Sequence, residues 1–299
     1  MLMIKNMINK LQKHELGFYE VKDKPTLEEL QDYYANKYYQ ESSSTSYAPN
    51  YSKDELEYFR VRNERYYSVA QKIRKTKVIA GSFLDVGCGE GYGLSYFKEQ
   101  GYIVKGLDFS SSGVLSQNPD CLNELVTGDL FKLLKFEIKS KNTYDIIYLQ
   151  NVLEHVINPI DLLCDLHSIL SLDGVIVLTV PNDFSVVQEE AMKRKHIDKE
   201  FWIGLPDHLS YFEKNSLVNI CKATGFNVCD LLGDFPIDWY LYHKGSNYIK
   251  DKSLGKSAHN ARIELECLLA KENMNDVLSL WRSLAQVGMG RDLTIFLTK

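Results

Sequence analysis

The sequence predicts an α/β fold, a mostly parallel sheet with helices on both faces. Three observations predict it. From Gly81 onward, short apolar runs alternate with helical patterns, the order that a parallel sheet with right-handed crossovers requires. The run Phe83-Leu84-Asp85-Val86 breaks into a turn with glycine at every second position, Gly87-Cys88-Gly89-Glu90-Gly91, and becomes helical from Tyr92 to Gln100. Val175 to Val180 is uninterrupted apolar chain, suited to a strand covered on both faces.

In chain order, residues 1–24 are polar and mixed and are expected to be loosely attached. Thr26 caps a helix that starts Leu27-Glu28-Glu29-Leu30 and runs into a tyrosine-rich stretch at 33–39, before a Ser-rich loop at 41–50. A long helix follows from about Ser52 to Lys75, with Leu56, Phe59, Val61, Tyr66, Val69 and Ile73 supplying its apolar turns. The second strand, Ile103 to Leu107, ends in Asp108. The third, Asn123 to Thr127, closes in Gly128-Asp129, and the fourth, Tyr144 to Leu149, is followed by Gln150. Asn158-Pro159 is a helix start with cap and N1 proline. Asp173-Gly174 then turns into the fifth strand, Val175 to Val180. Glu213 to Thr224 is a helix with Leu217, Ile220 and Cys221 inward, stopped by Gly225. Phe226 to Leu232 and Leu293 to Leu297 are the last strands. Between them, Pro236 to Gly290 holds two helices, about Ala258–Lys271 and Met274–Gln286, the second with Val277, Leu280, Trp281 and Leu284 on one face.

A chain of 299 residues has room for one large domain with additions, or two small ones. Hydrophobic content of 44% and charge of 25% are ordinary for a globular protein. A net charge of −5 gives no reason to expect nucleic acid as a partner. The six cysteines lack C-x-x-C pairs and read as reduced thiols of a cytoplasmic protein, without a disulfide framework or zinc site. Met1 to Ile8 is interrupted by Lys5 and Asn6, unlike a signal peptide. No run approaches the roughly 18 apolar residues that span a bilayer, so no membrane partner is expected.

Strand, glycine turn, helix is the geometry that brings backbone N–H groups and a helix N-terminus against a ligand. The dinucleotide fingerprint G-x-G-x-x-G needs glycine at 92, where Tyr92 stands, and a P-loop needs a lysine that is missing. A structural turn without ligand is the alternative, and the rest of the chain decides. Asp108 falls about twenty residues past the turn, where an acid accepts both hydroxyls of a ribose.

The order D-x-G-x-G-x-G (Asp85 to Gly91), G-L-D (Gly106 to Asp108), G-D (Gly128-Asp129), Y-D-I-I (Tyr144 to Ile147), L-E-H-V (Leu153 to Val156), D-G and a strand ending Pro181-Asn182 resembles class I S-adenosylmethionine (SAM) methyltransferases. It looks most like their small-molecule branch, which includes ubiquinone-type O-methyltransferases. The resemblance covers about Ser82 to Val228. It implies a Rossmann-like seven-stranded methyltransferase sheet, mostly parallel with the last strand antiparallel. The organisation expected is an N-terminal helical segment or lid (1–80), a SAM-binding core (81–235), a helical insertion or substrate cap (236–290) and a final core strand (291–299). A packing helix pair is the alternative to the lid.

The same resemblance implies residue roles. Gly87, Gly89 and Gly91 admit the methionine and ribose of SAM, and Asp85 orients the loop and attracts the methionine ammonium. Asp108 takes the ribose hydroxyls and Phe109 packs on adenine. Asp129 fits the adenine amino group beside the Leu130 backbone, with a plain helix N-cap as its competitor. Gln150 lines the methionine and sulfonium. S-adenosylhomocysteine (SAH) is the implied product.

Methyl transfer from a sulfonium is an in-line displacement, so the protein aligns the reactants, excludes water and, for a hydroxyl acceptor, removes a proton. Histidine is the natural base near neutral pH. His155 follows the fourth strand, and His208 lies in a P-x-H-x-x-Y-F stretch similar to that of related sequences, with Asp207 or Tyr211 to orient it. Satisfaction of backbone groups is the alternative for both. Carboxylates are spread singly, so no metal is expected.

The long insertion and the Gly288-Met289-Gly290-Arg291 lead into the last strand look like those of methyltransferases of bacterial surface-polysaccharide (capsule and LPS) clusters. That resemblance implies a small-molecule acceptor: O-methylation of a sugar or phosphorylated metabolite, with N- or C-methylation open. The run Lys193-Arg194-Lys195-His196 would hold an anion, or is a solvated face. The insertion is a substrate cap, an oligomer interface or a plain packing appendage, which leaves a dimer open. A non-catalytic SAM-binding protein and a pyridine-nucleotide oxidoreductase are the competing classes.

Overall fold

The apolar runs read from the sequence lie at the centre of one sheet: Phe83, Leu84, Ile146, Ile147, Val175 to Leu178, Ile295 and Phe296 are wholly buried. The computed structural model describes residues 7–26, 28–30, 50–74 and 81–299. Strands β1 (Leu11–Lys13) and β2 (Tyr19–Val21) form a hairpin. Helix α1 (Lys53–Ile73) begins at a capping box in which Ser52 and Glu55 exchange hydrogen bonds. Strand β3 (Ser82–Val86) leads through the glycine turn to α2 (Tyr92–Glu99), β4 (Ile103–Asp108), α3 (Ser112–Gln117), β5 (Leu125–Thr127), α4 (Leu130–Lys139) and β6 (Tyr144–Gln150). Then come α5 (Pro159–Ile169), β7 (Leu170–Pro181), α6 (Val186–Lys193), β8 (Ser210–Tyr211), α7 (Lys214–Ala223) and β9 (Asn227–Gly233). Helices α8 (Gly255–Leu269) and α9 (Met274–Gln286) precede β10 (Asp292–Thr298).

The main sheet has the order β5-β4-β3-β6-β7-β10-β9. All its pairs are parallel except those of β10, which runs against both β7 and β9. The sequence expectation of a seven-stranded sheet with an antiparallel final strand therefore holds. The chain builds outward from β3 to β5, then returns to place β6 on the other side of β3. That reversal opens a crevice at the carboxyl ends of β3 and β6, where open α/β sheets bind ligands.

The two faces of the sheet are covered differently. Leu84, Ile147, Leu149 and Ile176 pack with Leu163 and Leu166 of α5 and Leu217 and Ile220 of α7. On the other face Phe83 stacks on Phe97 at 3.9 Å between ring centroids, in a cluster that includes Tyr66 of α1 and Trp281 of α9. Each such side chain withdrawn from water contributes about 1.5–3 kcal/mol before entropy is counted. Helices α1 and α8 are joined by an ion pair, Arg65 Nη2 to Glu266 Oε2 at 2.7 Å, with both side chains buried. Among the described residues no helix is long and apolar enough to cross a membrane.

Several expectations are corrected. Residues 7–24 are not loose: β1 and β2 join β8 in a three-stranded sheet, and Phe18, 1% exposed, packs on Phe212 at 5.1 Å. Phe18 in the main core, with Leu11 and Val21 buried in a second cluster, anchors so short a hairpin. Strand β7 starts at Leu170, so Asp173-Gly174 lies inside it; the pairing with β6 slips between Tyr144 and Ile146, and Gly174 fits because a Cβ there would lie 2.9 Å from the Tyr144 carbonyl. On α9 the inward residue is Leu278, wholly buried, while Leu280 is 42% exposed. At 100° per residue, position 280 lies off the stripe of Val277, Leu278, Trp281 and Leu284. Thr26 does cap through Glu29, its Oγ1 accepting from the Glu29 N–H at 3.2 Å. The expected tyrosine-rich 33–39 and the Ser-rich loop lie outside the described residues.

Candidate functional site

The glycine turn is built by contacts from three sides. Gly87, Gly89 and Gly91 all have positive φ, at 73°, 55° and 79°, a region costly for residues with a Cβ. At Gly87 a Cβ would also lie 2.4 Å from Val152 Cγ2. Asp108, at the end of β4, accepts from the Gly89 N–H through Oδ2 at 2.8 Å and from the Ser110 N–H through Oδ1 at 3.1 Å. From α1's side, Tyr51 donates to both carboxylate oxygens of Glu90, at 2.8 and 2.9 Å, and Phe59 stacks on Tyr92 at 4.4 Å.

Asp85 sits beneath this turn, 4% exposed. Helix α2 crosses so close that a Cβ on Gly93 would be 2.4 Å from Asp85 Oδ2. Burial, and then the charge of Asp108, push the Asp85 carboxyl up to about 7; the Arg62 charge opposes them. A carboxylate so placed favours an incoming cation.

The structure brings Asp85, Gly87, Gly89, Gly91 and Asp108 together. Phe109 follows directly and is 37% exposed. Asp129 lies at the end of β5 and caps α4, accepting from the Lys132 N–H at 2.9 Å, with Leu130 as the first residue of that helix. Gln150, at the end of β6, is held across β7: its Nε2 donates to the Val177 carbonyl at 2.9 Å and its Oε1 accepts from Thr179 Oγ1 at 2.8 Å. Thr179 continues through Thr294 to Tyr66 of α1 at 2.8 and 2.9 Å.

The second half of the site lies beyond β6. His155 and His208 come from separate segments and meet edge to face, ring centroids 4.7 Å apart. His155 Nδ1 is 2.9 Å from the Asp207 carbonyl and 3.4 Å from its Oδ1, and Nε2 is 3.7 Å from Glu154 Oε1. Burial disfavours the charged ring, but the Asp207 hydrogen bond and the Glu154 charge outweigh it and push His155 up to about 9. Burial and the neighbouring His155 charge push His208 down to about 4. Burial likewise pushes Glu154 up to about 7. The two segments are tied by the Leu209 N–H donating to the Glu154 carbonyl at 2.8 Å; within the second, Tyr211 Oη donates to the His208 carbonyl at 2.9 Å.

Three residues were not singled out by the sequence. Glu154 is 1% exposed and stands beside the histidine pair. Asp183, also 1% exposed, pairs with Arg291 Nη1 at 3.2 Å; burial nevertheless pushes its carboxyl up to about 7. The available signal was position: Glu154 and Asp183 are acids just past the ends of apolar strands, and Arg291 just before one. The run 193–196, read as an anion site or as a solvated face, lies in part on the surface, where Arg194 pairs with Glu190 at 2.7 Å.

Comparison with known proteins bears on the family and the fold. A family model described as a methyltransferase domain matches residues 58–231. A ubiquinone biosynthesis O-methyltransferase of Burkholderia multivorans is 24% identical over 158 residues, which cover 50% of this chain and 66% of that protein. Among solved structures, a SAM dependent methyltransferase from Archaeoglobus fulgidus superposes with a TM-score of 0.50 at 19% identity, covering 82% of this chain and 94% of that one. The plantazolicin methyltransferase BpumL in complex with SAH gives a TM-score of 0.51 at 20% identity, covering 90% and 93%. At such identities the structures speak for the fold alone. The family model spans more than half of the chain and includes the glycine turn, Asp108, Gln150 and both histidines: the chain belongs to the methyltransferase-domain family.

Proposed function

We propose that this protein transfers the methyl group of SAM to a nucleophilic atom of a small molecule. The observation that carries the reading is the glycine turn tied to Asp108 at the reversal point of the sheet. Asp108 takes the ribose hydroxyls, and Phe109 packs on adenine. Asp85, buried with its carboxyl pushed up to about 7, is suited to the methionine ammonium. Gly87, Gly89 and Gly91 leave room for the methionine and ribose. Asp129 already caps α4, so the backbone at Leu130 is the better partner for the adenine amino group. Gln150, fixed by Val177 and Thr179, lines the methionine arm.

The reaction needs alignment above all. Holding the acceptor in line with the methyl group is worth about 7–11 kcal/mol relative to free encounter. Helix α1, with Tyr51 and Phe59 over the turn, acts as the cover that keeps water from the sulfonium, and residues 236–290 complete the acceptor side. His155 and His208 meet the acceptor's reacting group.

We favour a hydroxyl on a sugar or phosphorylated metabolite as acceptor. Arg291, part-exposed, paired with Asp183 and near enough for its charge to lower the His208 pKa, supports a polar or anionic acceptor. The surface-polysaccharide setting rests on the resemblance of the insertion alone. The experiment is mass spectrometry of sugars, sugar phosphates and amino sugars incubated with the protein and SAM. A gain of one methyl on an oxygen supports the reading. Binding of SAM without transfer to any acceptor would favour a non-catalytic role.

A further inference from the structure

We infer that Arg62 and Arg262 form an anion-binding site that grips a phosphate or carboxylate group of the methyl acceptor. This rests on the methyltransferase reading and names the chemical class of its substrate. Arg62 lies on α1 and Arg262 on α8, inside the 236–290 insertion. Both guanidinium groups lie over one ring, that of Tyr58, at 5.6 and 5.3 Å from its centroid. One turn further along each helix, the Arg65–Glu266 pair holds the two helices at this spacing.

The other arginines of this region are matched: Arg65 by Glu266 at 2.7 Å and Arg291 by Asp183 at 3.2 Å. These two are not. Among the described residues Arg62 makes no hydrogen bond and no ion pair, and lies over Tyr58 and Phe59, each at 5.6 Å. Arg262 Nε is buried without a hydrogen-bond partner. Its Nη1 is 4.0 Å from Asp234 Oδ2, too far for a direct hydrogen bond. The side chain is still 17% exposed, so a ligand reaches it.

A guanidinium presents five N–H donors in a planar fork that fits a carboxylate or a phosphate. Two unfilled forks, near enough for the Arg262 charge to disfavour that of Arg62, are costly unless an anion faces them. The neighbouring acids supply little of it. Glu266 is taken by Arg65. Burial and the Asp292 charge raise the Asp234 carboxyl well above its usual range, so it keeps its proton. Asp292 remains, and its charge is shared between Arg262 and Arg291.

The site adjoins the donor pocket, since the Arg62 charge reaches Asp85 beneath the glycine turn. An acceptor anchored here by its anionic group is held beside the methyl donor, with the insertion supplying one of the two arginines. The donor's own carboxylate is the other anion at hand, and the test separates the two.

The full chain is titrated calorimetrically with inorganic phosphate and with acetate, each with and without saturating SAH. At least one of the two should bind, one ion per chain, and the tighter names the group. Arg262→Gln and Arg62→Gln should each weaken that ion by at least about tenfold, as loss of a charged hydrogen-bond donor implies, and leave SAH affinity unchanged. If Arg262→Gln does not fold, Arg62→Gln decides. Failure of the wild-type chain to bind either ion would overturn the inference, and so would equal binding by the variants. Loss of SAH affinity in step with the ion would assign the arginines to the donor's carboxylate and overturn it too. A chain that binds the ion but not SAH retains the anion site and loses the methyl donor, so the two readings fail separately.

Discussion

Gly113, at the start of α3, lies so close to Gly89 that a Cβ added to it would be 2.4 Å from the Gly89 carbonyl oxygen and 2.8 Å from its carbon. Backbone cannot yield as a side chain does. Gly113→Ala should therefore displace the glycine turn, cost about 1–3 kcal/mol of stability and weaken SAH binding. Urea unfolding and calorimetry of the same variant check both effects. Gly255→Ala, where a Cβ meets nothing within 4 Å, should do neither.

Asp85 sets a pH dependence whose sign follows from its environment. Burial and Asp108 raise its folded-state pKa to about 7, so between the ordinary carboxylate range and pH 7 the folded chain keeps a proton that the unfolded chain has lost. Its contribution to stability is greatest at low pH, declines as pH rises toward 7 and is lost above. A bound ammonium reverses the preference by favouring the carboxylate. SAM binding should then release a proton below pH 7 and weaken as the pH falls to 5. Calorimetry in two buffers of different ionisation enthalpy measures the proton, and Asp85→Asn should abolish its release.

The Arg65–Glu266 pair ties α1 to α8 with both groups buried, and Arg65 also lies 4.8 Å over the Trp281 ring. Removing one partner leaves a buried charge unpaired. Glu266→Ala should cost roughly 3–5 kcal/mol, read from the urea midpoint. The pair Arg65→Met with Glu266→Leu should recover most of that loss, since an apolar pair of similar volume has no charge to desolvate.

Much of the fold was legible because its signals are local. The glycine turn, the apolar run at 175–180 and the Asn158-Pro159 helix start each specify a backbone conformation within a few residues. The small hairpin of β1 and β2 was not legible, because its stability comes from Phe18 reaching Phe212 and its third strand from residues 210–211. The site divides the same way. Asp108 could be placed from its strand end and its distance from the turn. Glu154, Asp183 and Arg291 take their meaning from partners far along the chain, and no periodicity announces them. Asp129 shows the ambiguity that remains at strand ends, where a helix cap and a ligand contact call for the same residue type.

Use of SAM as methyl donor is tested by calorimetric titration of SAM, SAH and NADH into the full chain and its Asp108→Ala variant. Micromolar binding of SAM and SAH is expected, and none of NADH. In the variant, which loses the acceptor for the Gly89 amide and for the ribose, both sulfur nucleosides should bind about 10–100-fold more weakly, as loss of a charged hydrogen-bond acceptor implies. Binding of NADH in their place, or of SAH equally by both proteins, would contradict it.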